Sequence, residues 1–133
     1  MTAEELTTVK QTWRLLRQTN PTLLGDLFFA RLQVENPALS KRYGGFSGTH
    51  YEEAIRMVST IVARLERLDT LSSYWPVIAR YFDLYGIRPL YYDSCCNALL
   101  WAIRQGLGRD WTPGVEQAWR AYCRLVCDCL ADA

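Results

Sequence analysis

Three kinds of side chain in this sequence are equipped for chemistry, and number or spacing limits each. His50 is the single histidine among 133 residues, so no metal site resting on two imidazoles can form within one chain. Five cysteines fall into two groups, Cys95 with Cys96, and Cys123, Cys127 and Cys129. No pair has the CxxC spacing of a metal knuckle or redox motif. Brought together, such thiols could bind zinc or close a disulfide; a buried cysteine more simply fills space as a small hydrophobe. Glu52 and Glu53 adjoin, a pattern that reads as the solvated face of a helix rather than a carboxylate dyad. The loop GGFSG lacks the lysine and the preceding strand of a phosphate-binding loop, and no Ser/His/Asp arrangement is evident.

These groups are carried on helices. Leu6, Val9, Trp13 and Leu16 recur at helical spacing, behind a Thr2–Glu5 pair spaced as a capping box. Asn20-Pro21 breaks this helix and opens the next, residues 23–34, which Asn36-Pro37 stops. A short turn, PALSKRY, then leads to the loop GGFSGT. From 50 to 68, Ala54, Ile55, Val58, Ile61, Val62 and Leu65 form one apolar stripe. Residues 71–84 make a further helix, with Pro76 in its first turn and Gly86 beyond its end. Pro89 opens another that runs to about residue 106. Thr112-Pro113 reads as an N-cap and first-turn proline for the last helix, where Val115, Trp119, Tyr122, Val126, Cys129 and Leu130 face inward. In an antiparallel pair the start of one helix lies beside the end of the other. Cys95 or Cys96 could therefore approach Cys127 or Cys129.

The totals narrow the field further. A chain of this length is one domain, residues 1–133, able to bury a core. Fifteen basic against 14 acidic side chains give no electrostatic footprint for nucleic acid or an anionic membrane. The first residues carry no basic segment followed by an apolar run, and no apolar stretch approaches the roughly 18 residues of a membrane span. A soluble, cytoplasmic protein with reduced thiols is the expectation.

Nearly the whole chain resembles one family, the single-domain bacterial haemoglobins and the globin domain of flavohaemoglobins. LTTVKQTW is similar to its first helix, LGDLFFARL to its second, and ENPALSKRY to the turn into the loop over the haem. YGIRPLYYDSCCNALLWAI resembles the segment after the proximal ligand, and LGRDWTPGVEQAWRAYCRLV carries the most specific match. The resemblance implies an all-α globin fold, six to seven helices around a haem-type pocket, with haem b as the cofactor.

The residues of that pocket depart from the family. The iron-binding histidine stands three residues before a Tyr-Gly pair and seven before a proline. Tyr85-Gly86 and Pro89 both set it at Phe82, not at the adjacent Tyr81. The phenylalanine against the haem face corresponds to Tyr43, and the distal tyrosine to Phe29. The distal polar position corresponds to His50, and the apolar residue one turn on to Ala54. Ile87, Tyr92 and Cys95 complete the expected pocket, Cys95 as an alternative iron ligand. Arg80 and Arg88 could pair with haem propionates.

A phenylalanine has no lone pair for iron, and without a distal hydroxyl a polarised Fe–O2 unit loses a donor. Ordinary oxygen carriage is poorly supported. The leading expectation is a haem hung from His50, suited to sensing a gas or to redox work. The other is a haem-free globin whose pocket is closed or takes an apolar molecule. The expected partner is a small diatomic or apolar ligand, with a homodimer left open.

Overall fold

Each helix begins and ends where its own residues dictate. The computed structural model of the chain describes residues 1–18, 21–38, 48–84 and 86–133, and not the side chains at 21 and 48–50. Helix α1, Ala3–Gln18, starts at the capping box. The Thr2 amide donates to Glu5 Oε1 at 2.7 Å, and the Glu5 amide donates to Thr2 Oγ1 at 3.0 Å. Helix α2 spans Pro21–Glu35, with its proline at the first position. Helix α3 spans Gly48–Ala63.

The apolar stripe of α3 runs on to Leu65, but the regular helix ends sooner than the expected residue 68. The chain tightens there into three-residue turns, with the Arg64 amide donating to Ile61 O at 3.1 Å and the Arg67 amide to Arg64 O at 2.9 Å. Leu65 stays buried inside this turn. Nor is 71–84 one helix: a 3-10 turn at Leu68–Leu71 precedes helix α4, Trp75–Leu84. Pro76 has no amide for a preceding turn, so α4 starts beside it. Past α4, Gly86 takes a φ of 74°, the left-handed region that suits glycine. The Ile87 amide donates back to Phe82 O at 2.8 Å, closing the helix end in the Schellman manner.

A 3-10 turn at Pro89–Tyr91 leads to helix α5, Tyr92–Leu107, and another at Gly108–Asp110 to helix α6, Pro113–Ala131. The Val115 amide donates to Thr112 Oγ1 at 3.2 Å, the N-cap expected from Thr112-Pro113. Among the described residues there is no strand.

Packing joins α1 to α6, and α2 to both α3 and α5. The first contact is aromatic. Trp119 is fully buried, 6.0 Å from the Trp13 ring and 5.0 Å from the Tyr122 ring. At about 150–250 Å² of apolar surface, each such ring contributes roughly 4–6 kcal/mol of transfer free energy. Its polar edge is satisfied as well, since Trp119 Nε1 donates to Thr12 Oγ1 at 2.9 Å and that hydroxyl donates to Thr8 O at 2.7 Å. Because α2 touches α1, α3 and α5, it needs apolar residues on more than one side. Leu24, Phe29 and Leu32 are buried there, with Leu27 and Phe28 partly so.

Helices α2 and α3 cross at Gly25, where a Cβ would stand 2.7 Å from Tyr51 Cβ and 3.3 Å from its Cα. Neither atom is the free end of a flexible side chain, so the helices themselves would have to part. Overpacking of this kind costs about 1–3 kcal/mol, against ~1 kcal/mol of helix propensity gained. Gly25→Ala is therefore expected to lower stability by up to about 2 kcal/mol in urea denaturation. At Gly114 the nearest atom to an added Cβ is 3.9 Å away, and Gly114→Ala should shift stability by less than about 0.5 kcal/mol.

Candidate functional site

The Gly25 crossing leaves a cavity of about 120 Å³ beneath it, and every long helix except α1 contributes to its wall. Helix α2 supplies Leu24, Phe28 and Phe29, and α3 supplies Ala54, Met57 and Val58. Phe82 comes from α4, Tyr92 and Cys95 from α5, and Tyr122 and Val126 from α6. Ile87 joins them because the helix-end hydrogen bond folds it back onto Phe82.

The wall is almost wholly carbon and sulfur. The Phe29 ring sits 5.0 Å from Tyr51 and 4.9 Å, edge-on, from Phe28. Across the cavity the Phe82 ring meets Tyr92 edge-on at 6.1 Å. Among the described residues no buried side-chain nitrogen or oxygen lacks a hydrogen-bond partner, so no stranded polar atom calls for a ligand. Such a lining favours apolar occupants.

Burial favours the neutral form of several of its titratable groups. Burial pushes the Cys95 thiol up to about 12, with a smaller push from Cys127. Burial also raises Tyr92 and, far more, Tyr122, and nearby cysteines add to both. Cys96 and Cys127 stand with their sulfurs 3.1 Å apart, the approach that antiparallel packing of the last two helices predicts. A hydrogen bond to Cys123 is the main cause raising Cys96, and the bond to Cys96 is the main cause raising Cys127.

Six of the residues expected to form the pocket therefore line one cavity: Phe29, Ala54, Phe82, Ile87, Tyr92 and Cys95. Tyr43 lies outside the described residues. His50 falls in the first turn of α3 by its backbone, and its side chain lies outside the described residues. Arg80 and Arg88 are exposed. Among the described residues no group of three His, Cys, Asp or Glu is arranged for a metal ion. The sequence reading missed Gly25, Phe28, Met57, Ile78 and Cys123. For α2 the signal was available, in an apolar run too wide for a single face.

An iron porphyrin held from position 82 does not fit this wall. The phenyl ring has no lone pair, and among the described lining residues no side chain offers a nitrogen donor. The volume is also small. Pockets for drug-sized ligands run from roughly 300 Å³ upward, and a porphyrin is larger than most such ligands.

Helix order, the α2–α3 crossing and the cavity beneath it define a globin fold. No family model matches the chain. It is 25% identical over 123 residues to the flavohemoprotein of Bacillus subtilis, covering 90% of this chain and 31% of that one. The chain thus spans about a third of the length of that curated relative. Among solved structures, an engineered carbene transferase from Rhodothermus marinus superposes with a TM-score of 0.83 at 15% identity, covering 99% of this chain and 92% of that one. A bacterial globin from Campylobacter jejuni gives 0.76 at 16% identity, covering 98% and 97%. No helix of the described residues is long and apolar enough to cross a membrane.

The buried thiol has a measurable consequence for pH. A neutral Cys95 suits the cavity below pH 9, the ordinary range of a thiol. Above that the unfolded chain releases a proton that the folded chain keeps until about pH 12, so stability falls as pH rises through this window. Denaturation curves from pH 8 to 11 should show that fall. In Cys95→Ala its slope should be shallower by up to one proton.

Proposed function

We propose that this chain is a globin-fold binding module whose cavity takes a small, uncharged, apolar molecule. The single observation that carries this reading is the cavity itself: about 120 Å³, lined by Phe29, Ala54, Phe82 and Tyr92, with the Cys95 thiol held neutral. Its size is close to that of an apolar protein cavity of about 150 Å³ that stays dry and admits benzene or xenon. In this reading Phe82 fills the space of the proximal histidine. A ring packed edge-on against Tyr92 replaces a ligand bond, and the chain serves as a sensor or carrier of a small apolar or diatomic ligand.

A second reading rests on the relative named a flavohemoprotein. There haem is bound with altered ligation, His50 supplies the axial imidazole from α3, and the cavity widens to admit the ring. The chemistry such a haem would supply is gas binding or electron transfer.

One experiment with two arms separates the readings. In the first, benzene at near-saturating concentration should raise the Tm of the wild-type protein by several degrees. Ala54→Phe, which fills the cavity, should abolish that rise. In the second, the wild-type protein is titrated with haem. The apolar-ligand reading expects no stoichiometric Soret band. A band that forms in the wild type and vanishes in His50→Ala would establish the second reading and defeat the first.

A further inference from the structure

We propose that Cys96 and Cys127 form a reversible dithiol–disulfide site bridging α5 and α6 on the cavity wall. The inference is independent of what the cavity binds. Two facing helices carry these thiols, and their sulfurs are 3.1 Å apart. A disulfide bond is about 2.05 Å long, so closure needs an approach of about 1 Å. The Cys96 thiol is also oriented by the Cys123 carbonyl, 3.9 Å away.

The other cysteines are placed differently. Cys95 has its thiol enclosed by burial, and Cys123 is itself buried. Cys129 follows Cys127 by two residues on one helix, a spacing that turns it to another side, and it is absent from the cavity wall. Cys127 is only partly buried, which leaves a small reagent a way in.

The co-reactant is a low-molecular-weight disulfide, RS–SR. The Cys127 thiolate attacks one of its sulfurs, breaking the RS–SR bond and releasing one thiolate. Cys96, deprotonated in turn, attacks Cys127 Sγ in the mixed disulfide and releases the second. The protein gains one S–S bond and loses two electrons and two protons, which end on two molecules of RSH. Both cysteines favour their protonated forms in the folded chain, so the exchange is slow at neutral pH and quickens with alkalinity.

Oxidised glutathione at pH 8, followed by denaturation, alkylation and peptide mapping, tests the site. Free thiols should fall from the five of the reduced chain to three, with a cross-link joining the peptides that hold Cys96 and Cys127. Dithiothreitol should restore all five. Oxidation should raise Tm on the order of 10 °C, because the bond closes a long loop. Cys129→Ser should still lose two thiols. In Cys96→Ser the exchange should stop halfway, with glutathione retained on Cys127. Five free thiols after oxidation, or a cross-link between another pair, would overturn the proposal.

Discussion

Helices α2 and α3 can approach only as closely as residue 25 allows. Glycine there lets the backbone of α2 rest against Tyr51, where even a methyl group would meet Tyr51 Cβ at 2.7 Å. That contact brings Phe29 within 5.0 Å of Tyr51 and keeps Ala54 on the same wall. The volume left over is about 120 Å³, the scale of an apolar cavity that admits benzene. Wider separation would open the cavity, and tighter packing would erase it. The chemistry of the site follows from this one crossing.

The opposite wall answers a related constraint. A side chain without a lone pair at position 82 cannot be held by a ligand bond, so packing must hold it instead. The Schellman closure draws Ile87 back toward it, and Tyr92 meets its ring edge-on. Phe82 is thus held by two residues that follow it in the chain. The cavity needs no bound group to complete its hydrogen bonds, since no buried polar side-chain atom among the described residues is left unpaired. The Trp119–Thr12 bond serves the same end at the α1–α6 contact, letting a large indole be buried without stranding its N–H.

Much of this was legible in the sequence, for identifiable reasons. The Thr2–Glu5 spacing and Thr112-Pro113 specify helix starts locally, and both form the hydrogen bonds their residues imply. The inward stripes of α1 and α6 follow from a 3.6-residue period, and Val9, Trp13, Trp119 and Tyr122 are buried accordingly. The end of α3 and the start of α4 were harder. Leu65 belongs to the apolar stripe by type yet reaches the core from a tight turn, and periodicity cannot separate the two. Gly25 was invisible as a determinant, because its role is set by a residue 26 positions away on another helix. Cavity volume is likewise a tertiary quantity, fixed by how five helices settle against one another.

The central claim is that the space between Phe29 and Phe82 is a dry apolar site, and not the seat of a histidine-held haem. The most direct test is a crystal structure of protein produced with haem supplied, with the crystals equilibrated under xenon. The account predicts xenon density bounded by Phe29, Ala54, Phe82 and Tyr92, with the walls unmoved and no porphyrin present. A porphyrin between α3 and α4 would contradict it, as would a xenon-free cavity filled by ordered water.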